Sequence, residues 1–199
     1  MSSDGSEAGT VMVEDINPGG GNSSPQNFAI LGSSLYFMAN DGTNGFELWT
    51  TDGSTASMVK DINTGGSSSP ENLTEAGGML FFEADDGIHG DALWKSDGTD
   101  AGTVMVKQIN TFTFPEIDKM AAYSGYAVFS ADDQENNKEL WKSDGTDAGT
   151  VIVKEIIGTG YLVPDEITVM NETLYFSADN NKEEGEEFWK SDGTDAGTV

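Results

Sequence analysis

The chain has 199 residues, 35 of them acidic against nine basic, and all nine basic residues are lysine; there is no Cys and no Arg. A formal charge of -26 repels polyanions and excludes nucleic acid as a partner, and the lack of Cys excludes disulfides, thiolate metal sites and a thiol nucleophile. No window approaches the eighteen or so apolar residues of a membrane span, and residues 1–10 lack the charged and apolar regions of a secretory leader.

Taken in chain order, the first feature is the string SDGSEAGTV at 3–11, and it returns. WKSDGTDAGTV stands verbatim at 94–104, 141–151 and 189–199, with a degenerate copy, WTTDGSTASMV, at 49–59. The four Trp are separated by 45, 47 and 48 residues, so the chain is a four-fold repeat of about 47 residues. Each period carries four strand signals. The first is half-apolar, at 27–31, 72–76, 117–121 and 167–170. The second is a near-continuous apolar run, at 35–39, 80–84, 127–131 and 174–178, the pattern of a strand buried on both faces. The third contains the Trp, at 46–50, 92–95, 139–142 and 186–190. The fourth follows the repeated string, at 11–16, 58–62, 104–109 and 151–156.

Four antiparallel strands every 40 to 50 residues, with the middle strands buried on both faces, predict an all-β β-propeller of four-stranded blades, one domain over 1–199 with repeats 11–57, 58–102, 103–149 and 150–197. The ring is expected either to close after four blades or to share blades between chains. On closure, residues 11–16 supply the outer strand of the last blade, beside the strand ending at Lys190. Residues 192–199 duplicate 4–11 and compete for that place, which makes a homo-oligomer through the overlapping ends the other expectation.

Through Glu47-Leu48-Trp49, Glu139-Leu140-Trp141 and the three SDGT strings, nearly the whole chain resembles the bacterial ELWxxDGT-repeat proteins. The resemblance implies a large secreted or cell-surface bacterial protein and brings no assigned activity. Ala92 and Phe188 depart from the motif itself.

In a propeller blade, the loop between strands two and three and the connection to the next blade emerge on one face. The first of these is acidic in every repeat, with Asp41, Asp85 and Asp86, Asp132 and Asp133, and Asp179. Short oxygen-rich loops suit calcium, which takes six to eight hard oxygen ligands; the same residues are also ordinary turn formers, and both readings stand at this point. The second connection changes from glycine and serine to Phe112, Phe114 and Tyr161. With His89 these aromatics form the predicted ligand-binding set for a glycan or a protein, unless they fold inward to plug the ring. The repeated SDGTDAGT turn reads as structural, and the four Trp as core between blades.

An enzyme finds little support in the sequence. His89 is the only histidine, so a Ser-His-Asp triad rests on one residue, and no Arg is present to clamp an acidic sugar. A carboxylate pair for glycoside hydrolysis can be recognised only by its separation in space. The sequence therefore predicts a non-catalytic binding or adhesion scaffold, with a purely structural assembly module as the alternative and a glycosidase-like enzyme as the third reading.

Overall fold

The structure, a computed structural model, describes residues 4–110, 117–133, 138–156, 164–179 and 185–199. Among these residues there are fifteen β-strands and no helix. The first blade is β1 (Gln26–Leu31), β2 (Ser34–Asn40), β3 (Phe46–Thr51) and β4 (Ala56–Lys60), and the second is β5 (Glu71–Ala76), β6 (Met79–Asp85), β7 (Asp91–Ser96) and β8 (Val104–Lys107). The third is β9 (Asp118–Tyr123), β10 (Tyr126–Asp132), β11 (Lys138–Ser143) and β12 (Val151–Lys154), and the fourth is β13 (Asp165–Met170), β14 (Thr173–Asp179) and β15 (Glu186–Ser191). Each blade is an antiparallel meander in sequence order.

The apolar runs become the second strands, and their burial follows from stacking. One face of β6 sends Leu80 and Phe82 into a core shared with Tyr36 and Leu48 of the first blade. The other face sends Phe81 into a core with Phe129 and Trp141 of the third blade. Val128 and Leu140 then meet Leu174 and Phe176 of the fourth. A fully buried Phe or Leu contributes about 1.5–3 kcal/mol relative to an exposed one, so the inter-blade layers are the main source of stability. Trp94 and Trp141 sit in these layers and Trp189 packs partly buried on the third, as the spacing predicts.

The first strands β1, β5, β9 and β13 touch in succession. Asn27 and Asn72 take positive φ and donate their amides to the carbonyls of Pro70 and Ile117 at the entry to the next blade. Among the described residues β13 and β1 make no comparable contact, and no core cluster joins the fourth blade to the first. The outer face of blade one holds Phe37, Ala39 and Trp49 with Ile16 against them. The outer face of blade four is open among the described residues: Phe188 is 77% exposed and stacks on Tyr175, at 5.4 Å. The burial pattern of β14 alternates for this reason, where β2, β6 and β10 show near-continuous burial.

The strand predicted at 11–16 is not formed; Val11 makes a single bridge and residues 12–15 have no strand structure. The expected partner, β15, belongs to the far end of the row of blades, and the place beside Lys190 is taken by Val199, whose amide and carbonyl bond to Lys190 at 3.0 and 2.9 Å.

The SDGTDAGT turn is self-contained. In the third blade Asp144 accepts from the amide and hydroxyl of Thr146, Thr146 accepts from the Gly149 amide, and Ser143 pairs with Thr150 at 2.8 Å. Gly145 takes a φ of +85°, which an Asp-Gly turn supplies without strain. The packing explains the verbatim repetition, because a Cβ at Gly149 would lie 2.0 Å from Asp144 Oδ1. Replacing Gly149 with Ala is expected to cost more than about 1 kcal/mol, read as a lower urea midpoint, while Ser33→Ala, at an exposed position in the turn between β1 and β2, serves as the neutral control.

Candidate carboxylate site of the second blade

The sequence-predicted site residues are distributed over separate blades. Asp41 accepts from the amides of Thr43 and Asn44 and from the Asn44 side chain, so its carboxylate closes its own loop. Asp85 accepts from the Gly87 amide, and Asp86 from the amides of Ile88 and His89. His89 Nδ1 lies 2.7 Å from Asp86 Oδ2, and its carbonyl accepts from Gln108. Asp132 and Asp179 are the last residues of β10 and β14, and Asp133 follows β10 directly. Among the described residues no three His, Asp or Glu side chains come together as a metal site. Phe112, Phe114 and Tyr161 lie outside the described residues.

The arrangement that sequence reasoning missed is in the second blade. Glu71 on β5 stands directly opposite Glu83 on β6, and Asp85 stands opposite Asp91 on β7. Side chains two apart on a strand share a face and cross-strand partners are nearest neighbours, so these registers put four carboxyl groups on one face. Glu71, Glu83 and Asp91 line a cleft with Ser69, at the end of the sheet where the loops between strands two and three emerge. The connection from β4 reaches the same end, since Ser68 bonds back to Phe46 and accepts from the Asp85 amide.

Burial is the main cause that pushes Glu83 up to about 8, reinforced by Asp91, Glu71 and Asp118 and opposed by the Ile117 amide, which donates to Oε1 at 3.1 Å. Asp91 is raised too, by burial first and then by Asp85 and Glu71. At neutral pH Glu83 is therefore a carboxylic acid that carries its proton beside other carboxyl groups in an open cleft. Both Glu83 and Asp91 are thus shifted toward the protonated form, a perturbation typical of carboxyl groups at functional sites.

The repeat explains why blade two alone has this site. Glu47 and Glu139 lie buried on the third strands of blades one and three, and each accepts the amide of an isoleucine in the following connection, Ile62 and Ile156. In blade two the matching third-strand residue is Ala92, and the acid has moved to Glu83 on the second strand, where the other blades have Met38, Ser130 and Ser177. Glu83 still receives an incoming amide, but it now faces the cleft. The substitution of Ala92 for the motif's Glu was the legible signal, and only the strand register shows what it does.

No family model and no curated protein matches the chain. Solved structures do. An exo-β-1,3-galactanase from Phanerochaete chrysosporium, bound to β-1,3-galactotriose, is 13% identical with a TM-score of 0.44, over 83% of this chain and 46% of that one. An α-L-arabinofuranosidase from Clostridium thermocellum is 14% identical with a TM-score of 0.39, over 88% of this chain and 70% of that one. Both are glycosidases. The expectation of a non-catalytic scaffold that is not an enzyme is corrected on this finding and is not carried further.

Proposed function

We propose that the chain is a glycosidase-like, carbohydrate-active β-propeller whose acid–base centre is the carboxyl cluster of the second blade. The observation that carries this reading is the cleft shared by Glu83, Glu71 and Asp91, in which burial pushes Glu83 up to about 8. Glycoside hydrolysis needs one carboxylic acid to protonate the leaving oxygen and one carboxylate to act on the opposite side of the sugar. Glu83 fills the first role. Glu71, exposed on β5 and opposite Glu83 in the register, is the candidate for the second. The remaining acidic side chains around the cleft favour a neutral, hydroxyl-rich substrate over an anionic one. A secreted or cell-surface setting, where polysaccharide is met, belongs to the same reading.

The test is hydrolysis of a panel of aryl glycosides and neutral polysaccharides by the full chain and by Glu83→Gln. The parent is expected to release sugar, with activity falling as pH rises through about 8 and Glu83 loses its proton. Glu83→Gln is expected to lose about 10²–10⁴-fold in kcat on poor leaving groups, and less on nitrophenyl glycosides, whose departure needs little protonation. A parent that cleaves nothing on the panel, or a variant as active as the parent, overturns the assignment.

A further inference from the structure

Between the third and fourth blades the structure leaves a groove that the other layers fill, beside the β9–β10 turn and so at the end of the sheets opposite the second-blade cleft. In the layer between blades one and two, Tyr36 reaches the turn of the following blade, and a Cβ at Gly98 would meet its hydroxyl at 2.1 Å. In the next layer the Phe81 ring lies 3.3 Å from the Cβ position of Gly145. The matching residue of β10 is Val128, which does not reach Gly193; the ring against that glycine is Tyr123, at 3.1 Å. The space left is a hollow of about 140 Å³ lined by Tyr126, Val128, Lys142 and Asp192. It runs past Tyr123 and Ser124 into a second hollow of about 380 Å³ bordered by Val169 and Glu172. The two tyrosines are particular to this blade. Tyr123 and Tyr126 stand directly opposite each other on β9 and β10, where the matching pairs are Leu31 and Ser34, Ala76 and Met79, and Met170 and Thr173. Both rings are held in place. Tyr123 donates its hydroxyl to the Glu172 carbonyl at 3.0 Å, and Lys142 lies 5.4 Å over the Tyr126 ring while donating to the Gly193 carbonyl at 2.9 Å.

We propose that this groove binds a neutral sugar residue of a polysaccharide, as a non-catalytic site separate from the second-blade cleft. A fixed tyrosine offers an apolar body against which the C–H face of a pyranose can lie, with a polar tip for its hydroxyls. The polar groups beside the rings are few and convergent. The Asp192 carboxylate keeps acceptor capacity beyond the Thr194 bonds that close its own turn, Lys142 has protons beyond the one given to Gly193, and the Ser124 hydroxyl is exposed. Aromatic walls with a small number of placed polar groups are what small-ligand sites present. Charge argues against an anion, since Lys142 shares its hollow with Asp192, Glu172 borders the other, and the chain carries -26. Packing alone would close the space, because an aromatic residue at 128, as at 36 and 81, fills it in the other layers. The ligand class rests on the carbohydrate reading above; the site does not.

Native gel electrophoresis in soluble galactan, arabinan, glucomannan and mixed-linkage β-glucan tests this, with Glu83→Gln in every protein so that no ligand is cleaved. The reference protein is expected to be retarded by at least one of the four. Tyr126→Ala, at a ring 38% exposed, is expected to weaken the apparent affinity about tenfold. Val128→Phe, which restores the filling residue of blade two, is expected to abolish retardation, and both variants keep the circular dichroism spectrum of the reference. A reference protein retarded by none of the polysaccharides, or either folded variant retarded as strongly as the reference, overturns the proposal. With Glu83 restored, the same two substitutions are expected to leave hydrolysis of nitrophenyl glycosides unchanged, and its loss would overturn the groove as a separate site. Retardation of a chain that hydrolyses nothing would strike the second-blade assignment and leave the groove standing.

Discussion

Truncating Phe129 to alanine lowers the unfolding free energy by about 3–5 kcal/mol, as a buried Phe lost from a packed core does. The same change at Phe188 is near neutral in the monomer. Phe129 is on β10, the second strand of its blade, and Phe188 on β15, the third of its own; both are strands that the repeat buries, and the difference is what covers them. Phe129 has no exposed surface and lies in the layer between blades two and three with Phe81, Leu93 and Trp141, so its removal leaves a cavity that three strands must collapse to fill. Phe188 is 77% exposed with one ring against it. Urea unfolding of both variants measures this: equal losses at the two positions would mean that the outer face of blade four is covered in solution.

The repeat made most of this architecture legible before any coordinates. Four strand signals per period became four strands in three blades and three in the last, with bounds shifted by a residue or two at their ends. The SDGTDAGT string became a turn that satisfies its own polar groups, and Trp94 and Trp141 became interlayer core, whereas Trp49 lies on the outer face of blade one. Two things were not legible. Residues 11–16 have the composition of an outer strand, yet a strand needs a neighbour to bond to, and the neighbour's position is set by how far the row of blades curves. The candidate site was hidden for a related reason. Glu71, Glu83 and Asp91 are separated in sequence and unremarkable in type, and only pairing registers put them on one face. The acidic loops that stood out instead contain Asp41, Asp85 and Asp86, and their carboxylates are largely occupied in closing those loops.

The last expectation concerns pH. Glu139 is 1% exposed; Oε2 accepts the Ile156 amide, and Oε1 has no partner among the described residues. In blade one the corresponding Glu47 has both oxygens bonded, because Ser68 donates its amide and its hydroxyl. Burial, with Glu155 and Asp133 nearby, therefore pushes Glu139 up to about 7, and Glu83 stands higher still. A folded-state affinity raised above the unfolded value of 4.5 means that the native state holds more protons than the unfolded one. The stability this confers is fully present below pH 4.5 and is lost as pH rises through 7. For Glu139 the loss amounts to about 3 kcal/mol. Urea unfolding at pH 5 and at pH 8 is expected to show the parent weaker at pH 8, with Glu139→Gln reducing that difference by about this amount. The net charge of the chain also penalises high pH, but it does so almost equally in parent and variant, so the comparison isolates the one buried carboxyl. An identical pH dependence in the two proteins would mean that a donor reaches Glu139 Oε1 in solution, as Ser68 reaches the matching oxygen of its counterpart.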